Sequence, residues 1–509
     1  MASESRTSNA KKNMLFGYIG KVIDLLLPFV SRTIVLYVLG EKYLGLSSLF
    51  TSILGVLNMT ELGFSSAIVF SLYKPLAEKD ECTVKAYMTY YKQIYRIIGL
   101  FIMVVGVLLT PLLRYIVKGD IPADINLYVI YYLYLINLVI SYWAFAYKSA
   151  LLQASQKMSV CSKITSVVYL LRSILQIGVL LVTKSYYGFL VVLVLSTFAN
   201  NLVTNYFANK LFPQYIGSGK LDKEKKTELF TQVKGLAISK VCGVLRDSLD
   251  SITLSAFVGL TTVAIYGNYH FILTAVHGIL IVLTLSIKAG IGNSLCTETV
   301  EKNTEDMLKF HYLFMFIASW CFCCILCLSQ DFMTIWAGKE LVTDNFTMIL
   351  FAVYFFTLCL SDIRNIYIDA KGLWWEYRYR SIIETIANLV LNVLSVYFFG
   401  ITGVLLATLI TFWSINLIYG SSIIFKQYFG LCALKRFIVQ NIGIILSCAA
   451  AAISTWFVCS LVSLENMWLQ LLAKACICVV LPVVVYVFIN IKNEYMRMVP
   501  KFIKQIIKS

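Results

Sequence analysis

The amino-acid sequence predicts an all-α polytopic membrane protein of about fourteen transmembrane helices, arranged as two six-helix lobes and two C-terminal helices. Of its 509 residues, 59% are hydrophobic and only 14% are charged, whereas a soluble domain is closer to half apolar and a quarter charged. Apolar runs of about 20 residues, the length that spans a bilayer, follow one another along the chain. The chain also repeats part of its own pattern near its middle.

The first six apolar runs form a predicted N-lobe, the next six form a C-lobe, and two more follow. The predicted spans are 15–39, 44–72, 95–117, 127–152, 160–182, 187–211, 236–259, 263–292, 310–330, 346–368, 382–399, 403–425, 438–462 and 467–490. The resulting segments are the N-terminus 1–14, the N-lobe 15–211, the linker 212–235, the C-lobe 236–425, the loop 426–437, the last pair of spans 438–490 and the basic tail 491–509.

An internal repeat supports the two-lobe arrangement. Lys21-Val22 recurs as Lys240-Val241, and Gly40 recurs at the same separation as Gly259. These positions lie at the start and the end of the first and seventh predicted spans. Repeated helix bundles around one pathway are typical of secondary transporters.

Basic residues set the predicted orientation. With the N-terminus in the cytosol, the cytosolic segments hold 31 of the 43 Lys and Arg residues, and the outer loops hold 5. Because cytosolic loops are enriched in Lys and Arg, both termini are expected on the cytosolic side of the membrane. The net charge of +16 then reflects loops that touch anionic lipids, and it requires no nucleic acid.

Several classes of enzyme are disfavoured, and we expect no catalytic activity and no cofactor. The chain lacks the GxxxxGK[ST] loop that cradles nucleotide phosphates. A membrane-embedded polymerase or ligase generally needs a sizeable outer loop with catalytic Arg or His, and the longest one here, 331–345, has neither. The 14 cysteines lie mostly in apolar runs, as in Cys321 to Cys327. They are interpreted as small apolar residues rather than as metal ligands, which need defined spacing and supporting contacts.

Charged residues within the predicted spans are the main functional signal, because charges in a membrane are costly and usually mark a pathway or a site. The basic candidates are Arg32, Arg172, Arg246, Lys288 and Arg364. A cavity lined by them suits an anionic ligand, and the planar guanidinium matches phosphate oxygens in pairs. In the alternative interpretation these charges pair internally and only fix helix packing, as Arg246 and Asp250 can at i, i+4. Lys21 and Lys474 are interpreted as snorkelling to the interface.

Acidic and neutral polar residues complete the candidate pathway. Asp24, Glu61, Asp250 and Glu384 are candidates for binding Na⁺ or H⁺, or for pairing with cavity arginines. Tyr266, Asn268 and Asn388 are candidates for neutral contacts along the path. His270 and His277 share one face of the eighth predicted helix, which fits either titratable cavity groups or buried histidines bonded to a neighbouring helix.

Three stretches carry a family resemblance. They are residues 45–77, which contain Gly-Leu-Ser-Ser-Leu-Phe and Glu-Leu-Gly-Phe-Ser-Ser-Ala, residues 250–269, and residues 370–408. In this order and spacing the chain resembles bacterial capsule and O-antigen repeat-unit flippases of the multidrug/oligosaccharidyl-lipid/polysaccharide (MOP) exporter superfamily. The resemblance covers nearly the whole chain.

The resemblance implies a V-shaped fold like that of multidrug and toxic compound (MATE) exporters, with helices one and seven facing a central cleft. It implies alternating access that carries an undecaprenyl-pyrophosphate-linked oligosaccharide to the outer leaflet of the bacterial cytoplasmic membrane. A polysaccharide polymerase and glycosyltransferases of the same pathway are candidate partners. Arg32 and Arg246 are then expected to hold the pyrophosphate, supported by Arg172, Lys288 and Arg364. A lipid II or teichoic-acid-type precursor flippase and a MATE-type multidrug antiporter are the alternatives.

The predicted orientation is directly testable by labelling single cysteines in a cysteine-free background. Cysteines placed in 114–126 and 331–345 should react with an impermeant maleimide added outside intact cells, and those in 210–230 should react only after permeabilisation. Outside labelling of 210–230 would overturn the orientation.

Overall fold

The computed structural model describes residues 27–58, 64–118, 121–155 and 157–499. All regular secondary structure in these residues is helical, which confirms the predicted all-α membrane fold. The chain divides into two compact units, residues 1–264 and 265–509.

Within the described residues, the first unit contains nine helices and the first turn of a tenth. The nine are α1 (Leu27–Val38), α2 (Glu41–Leu57), α3 (Phe64–Ala77), α4 (Glu81–Ile116), α5 (Leu127–Trp143), α6 (Lys148–Ala154), α7 (Met158–Thr183), α8 (Tyr186–Leu211) and α9 (Lys223–Phe257). Helix α10 (Leu260–Thr297) begins in the first unit and continues into the second. The second unit adds α11 (Val300–Ala337), α12 (Asn345–Lys371), α13 (Arg378–Phe429), α14 (Leu431–Ser460) and α15 (Met467–Ile489).

Most of these helices have transmembrane length and composition. In the described part of the chain nine helices are long and apolar enough to cross a membrane, and α5 with α6, bent by 52°, makes a tenth if that pair is one span. Each of the fourteen predicted spans overlaps a described helix, although 15–39 and 44–72 extend beyond the described residues. The predicted spans 382–399 and 403–425 lie on either side of Gly400 in α13, where non-helical dihedrals (φ 53°, ψ −127°) break the helix.

The repeat found in the sequence has a counterpart in the backbone. Gly40 and Gly259 both have positive φ, 106° and 136° respectively, and each stands directly before the next helix, α2 or α10. A residue with a Cβ rarely adopts such a conformation, so glycine is the residue that permits this sharp turn between helices. The two repeated glycines therefore terminate equivalent helices in the same way.

Helix α9 packs inside the first unit, so the compact division falls later than the predicted linker at 212–235. The helix begins at Lys223 within that linker, because the run from Lys223 to Leu229 consists largely of good helix formers. It packs against α2, and Ser255 Oγ donates to the Ile116 carbonyl at the end of α4 (2.8 Å). Half of the predicted linker is therefore the N-terminal extension of a packed helix.

Polar contacts hold α11, α14 and α15 together in the second unit. The Trp320 indole donates to the Cys478 carbonyl (2.9 Å), and Gln440 donates to the Leu308 carbonyl (3.0 Å). Lys474 Nζ lies 2.6 Å from Asp331 Oδ2. The snorkelling interpretation of Lys474 is therefore wrong, because its ammonium group is paired with a carboxylate of a neighbouring helix. Such interhelical polar contacts are a usual means of association in lipid, where apolar side chains gain little by leaving the hydrocarbon.

Close packing at Gly45 generates a prediction about stability. A Cβ added at Gly45 would lie 2.3 Å from the Leu260 carbonyl oxygen, whereas a Cβ at Gly178 in α7 would meet nothing within 4 Å. Gly45→Ala should therefore cost about 1–3 kcal/mol through overpacking, and Gly178→Ala should be neutral or stabilising by about 0.5–1 kcal/mol. Thermal melting of the two purified variants tests this, and equal midpoints would contradict the close approach of α2 to the α9–α10 turn.

Candidate functional site

Arg32 lies in α1 and points into the first unit. Its two terminal guanidinium nitrogens are each 3.5 Å from the Ser48 hydroxyl on α2, at the long limit of a hydrogen bond. It also interacts electrostatically with the hydroxyl groups of Tyr134 and Tyr186. These tyrosines, from α5 and α8, bond to each other (3.0 Å), and Tyr134 also donates to Ser47 (3.0 Å). The guanidinium therefore faces a group of hydroxyls contributed by three helices.

A polar cavity of about 300 Å³ lies in the same unit. It is lined by Asn58, Tyr95, Leu138, Ser141, Tyr142, Ala146, Ser149, Cys161, Thr165, Asn200, Asn201 and Thr204. Most of the lining side chains are neutral and carry both donors and acceptors. Such groups suit a ligand rich in hydroxyl groups better than they suit an apolar drug or a bare ion.

Helix α5 connects Arg32 to this cavity. Tyr134, Leu138, Ser141 and Tyr142 follow one another at helical spacing and share one face. Tyr134 is at the Arg32 end, while Tyr142 lines the cavity and bonds to Asn58. The two ends are separated along the helix by about 12 Å, at 1.5 Å per residue. A cation and a neutral cavity are thus placed in line within one unit.

Arg246 and Asp250, the other candidates in the first unit, lie in α9. The Arg246 Nε and Nη2 atoms are each 3.1 Å from Asp247 Oδ1. Asp250, which the i, i+4 spacing favours as a partner, is buried on the same helix. Arg172 in α7 stacks on Tyr169, with its guanidinium carbon 4.4 Å from the ring centroid.

Arg364, in the second unit, is buried within a network of acceptors and is only 1% exposed. Its guanidinium donates to the Asn416 carbonyl (2.8 Å), the Asn416 side-chain oxygen (2.5 Å) and the Ser421 hydroxyl (2.9 Å). These bonds satisfy a charge that is expensive to bury. Arg364 is therefore placed to hold α12 against α13 rather than to face a ligand in this conformation.

Two backbone carbonyls of α13 also accept hydrogen bonds from Arg364, and both lie where α13 departs from regular α-helical geometry. Residues Phe412–Tyr419 form a π-helical segment, a rare widening that often occurs at functional sites. The carbonyls of Asn416 and Leu417, both inside the segment, accept from Arg364 at 2.8 and 3.4 Å. The widened turn thus offers carbonyl acceptors to the buried guanidinium, and the guanidinium in turn satisfies those carbonyls.

Glu384 belongs to the same network. Its carboxylate is 2.7 Å from Arg380 Nη1 and accepts from the Asn416 amide at 3.2 Å on both oxygens. Asn416 thus bridges the carboxylate of Glu384 and the guanidinium of Arg364. The buried Arg364 and Glu384 form one neutralising network, and further along α13 Asn388 donates to Thr408 (3.0 Å).

The remaining candidates fall into two groups. Lys288 is half-exposed and pairs with Asp369 (3.0 Å), while Tyr266, which stacks against His270 and Phe351, and Asn268 are buried in the second unit. Asp24 and Glu61 lie outside the described residues. The structure thus brings Glu384 and Arg364 together and leaves Lys288 apart from them.

Sequence reasoning missed several of the residues that build these sites. Arg380 was detectable, since it stands four residues before Glu384 and charges at that spacing meet on a helix. Tyr134, Tyr186 and the cavity amides Asn200 and Asn201 had no comparable signal, because neutral polar residues are common in helices and their convergence depends on packing.

Comparison with known families connects this chain to polysaccharide biosynthesis. A family model described as "Polysaccharide biosynthesis protein" matches residues 10–287, more than half of the chain. No curated protein sequence matches the chain.

Solved structures show the same fold at low sequence identity. The lipid II flippase MurJ in an inward closed conformation is 13% identical with a TM-score of 0.65, over 94% of this chain and 99% of that one. An inward-facing MATE multidrug transporter is 13% identical with a TM-score of 0.60, over 82% and 95%. A MOP superfamily transporter from Pyrococcus furiosus is also 13% identical, with a TM-score of 0.54, over 85% and 96%. At such identities the likeness extends to the fold alone.

The contrast between Arg364 and Lys288 yields a prediction. Arg364→Ala leaves buried acceptors without a hydrogen-bond donor and removes a positive charge near Glu384. It should therefore destabilise the protein by roughly 3–5 kcal/mol. Lys288→Ala breaks a half-exposed pair and should cost at most about 1 kcal/mol. Yield and thermal midpoint of the purified variants measure the difference. An Arg364→Ala protein as stable as Lys288→Ala would show that Arg364 is available for a ligand after all.

Proposed function

This chain belongs to the polysaccharide biosynthesis protein family of the MOP superfamily, and from that premise we propose that it is a lipid-linked oligosaccharide flippase. Its substrate is an oligosaccharide repeat unit on undecaprenyl pyrophosphate. The protein moves this unit from the inner to the outer leaflet of the cytoplasmic membrane by alternating access, for capsule, exopolysaccharide or O-antigen assembly.

The observation that carries the proposal is the alignment of Arg32 with the neutral cavity in the first unit. A lipid-linked oligosaccharide presents a pyrophosphate followed by sugars, so it needs a cation next to a hydrogen-bonding cavity. Arg32 supplies the cation, and the cavity supplies amides and hydroxyls. A cationic drug would instead favour an acidic cavity, and the charged group aligned with this one is an arginine.

The physical task explains why such a path is needed. An unsatisfied polar group in hydrocarbon costs several kcal/mol, and a charge costs far more. A protein path replaces water by fixed donors and acceptors while the polyprenyl tail remains in lipid. The guanidinium fork is suited to this because it binds two phosphate oxygens at once and stays charged.

Arg246 and the acidic residues have supporting roles in this proposal. Arg246, paired with Asp247, becomes a second contact for the pyrophosphate when that pair opens. Arg172 supplies further positive charge in the same unit. Asp24, Glu61 and Asp250 remain candidates for coupling transport to Na⁺ or H⁺, whereas Glu384 is engaged by Arg380 and Asn416. Transport that ignores imposed gradients of both ions would remove all four from coupling.

Reconstitution into proteoliposomes tests the function directly. Vesicles containing the purified protein and a pyrophosphate-linked polyprenyl oligosaccharide should expose the glycan at the opposite face, measured by an impermeant glycosidase, faster than protein-free vesicles. Lipid II and a cationic dye serve as comparison substrates. Transport of the dye without the oligosaccharide lipid would favour the multidrug alternative, and preference for lipid II would favour the peptidoglycan precursor.

Arg32 should be essential for this transport. Arg32→Ala removes a charge-assisted contact worth roughly 1.5–3 kcal/mol per bond, so the transport rate should fall at least about tenfold at normal protein levels. Arg32→Lys should restore only part of it, because lysine keeps the charge but not the fork. Arg114→Ala, which removes an exposed arginine of the same unit, is the matched control and should transport normally. Wild-type transport by Arg32→Ala would refute the cationic site.

Filling the neutral cavity should also block the substrate. Thr204 lines the cavity from α8, and Thr204→Leu would occupy space needed by the sugars. Ser196 lies on the same helix but is not among the lining residues, so Ser196→Leu controls for added bulk in α8. We expect glycan transport to fall in Thr204→Leu only. Equal rates in the two variants would place the sugar path elsewhere.

A further inference from the structure

Three metal-binding side chains converge in the second unit, apart from the Arg364 network. His277 Nε2 lies 2.9 Å from Asp362 Oδ2, and the Cys359 thiol joins them. The ligand atoms of these three residues all lie within 4.8 Å of one another. We propose that His277, Cys359 and Asp362 form a binding site for a divalent transition-metal ion, with Zn²⁺ as the best match.

The helix register brings these side chains together. Cys359 and Asp362 stand at i, i+3 on α12 and so share one face. His277 comes from α10, which is aligned with α12 by a row of aromatic contacts. Tyr269 stacks on Phe351 (5.1 Å between centroids), and the His277 ring meets Phe355 edge-on (6.4 Å). The site is thus built on two long helices whose alignment is fixed by packing.

The donor set selects the class of metal. A ring nitrogen, a thiol sulfur and a carboxylate oxygen are the ligand types that Zn²⁺ uses, at about 2.0–2.3 Å. Around one tetrahedral ion such atoms are roughly 3.3–3.8 Å apart, so side-chain movements of about an ångström bring the three into range. Na⁺, Mg²⁺ and Ca²⁺ prefer oxygen ligands throughout. The site is therefore distinct in chemistry from a Na⁺ site.

The charge balance suits a membrane interior. On binding, the Cys359 thiol gives up its proton to solvent and becomes a thiolate. Thiolate, carboxylate and neutral imidazole then cancel the two positive charges of the ion, so the complex is neutral. Arg364 is the cation that acts on Asp362, and its guanidinium donates to the acceptors of α13.

The cluster is partly exposed and offers three of the four ligands that a tetrahedral metal ion needs. The side chains of His277 and Asp362 are 15% and 16% exposed, whereas Cys359 is fully buried. In this proposal the ion enters from the His277 and Asp362 side, and a water molecule takes the fourth position. A bound ion would tie α10 to α12.

A separate cluster of three cysteines in the same unit serves as a control for metal binding by thiols alone. Cys327, Cys459 and Cys478 also converge within 4.8 Å, but they offer sulfur alone and are buried among helices α11, α14 and α15. Among the described cysteines, Cys82, Cys432 and Cys476 are exposed and would bind metal nonspecifically. The test therefore uses a full-length background protein in which all three are replaced by serine.

Titration with Co²⁺, a spectroscopic substitute for Zn²⁺, tests the site without reference to transport. The chelator-treated background protein should bind one Co²⁺ with a thiolate-to-cobalt charge-transfer band, and Zn²⁺ should displace it, since Zn²⁺ binds such sites more tightly than Co²⁺. Excess Na⁺ should not. Cys359→Ser should abolish the band, and His277→Ala and Asp362→Asn should each weaken binding on the order of tenfold or more. Cys327→Ser should leave the band unchanged.

Two results of the Co²⁺ titration would overturn the proposal. One is a background protein that binds no Co²⁺, and the other is a band that survives Cys359→Ser or disappears in Cys327→Ser. Thermal melting separates loss of the site from misfolding. Zn²⁺ should raise the melting midpoint of the background protein and leave that of Asp362→Asn unchanged, while the two midpoints agree without metal. A Zn²⁺ shift that is equal in both proteins also rejects the site.

Discussion

A charged side chain inside a bundle of membrane helices must find its partners within the protein, and this constraint shapes much of the described structure. Arg364 shows it most clearly, because its guanidinium is 1% exposed and is bound by oxygen atoms of α13. One of those acceptors, the Asn416 carbonyl, lies in the π-helical turn Phe412–Tyr419 of α13, where the widened backbone lets a carbonyl bond to a side chain. Lys474 and Lys288 obey the same constraint with simpler ion pairs. A helix irregularity that is unusual in isolation is thus explained by the cost of one buried charge.

The two units use polar residues differently. In the second unit the polar groups are closed on one another, from Arg380 through Glu384 and Asn416 to Arg364. A network of this kind fixes helix positions and leaves little for a ligand to bind. In the first unit, neutral amides and hydroxyls line a cavity that still has room, and Arg32 lies beside the Ser48 hydroxyl. We therefore infer that the substrate is recognised chiefly in the first unit, with the second unit serving as a scaffold.

The α10–α12 interface adds a further chemistry to that scaffold. Its aromatic contacts align the helices, and the same alignment brings His277 to Cys359 and Asp362. The solved structures that share this fold include a lipid II flippase and a multidrug transporter, so the fold itself does not choose a substrate. Function must therefore be read from such local constellations: Arg32 with the cavity for the substrate, and His277 with its two neighbours for a metal ion.

The sequence by itself determined the membrane class, the positions of the helices and the repeat at Gly40 and Gly259, because these depend on local hydropathy and on backbone freedom. It also located the costly charges, since a charge in an apolar run is visible without a structure. Only the tertiary structure decided which partners they have: Arg246 meets Asp247, and Arg364 is enclosed. It alone brought Tyr134 to Arg32 and Cys359 to His277, because contacts between helices depend on how the helices rotate and pack, and no local pattern encodes that.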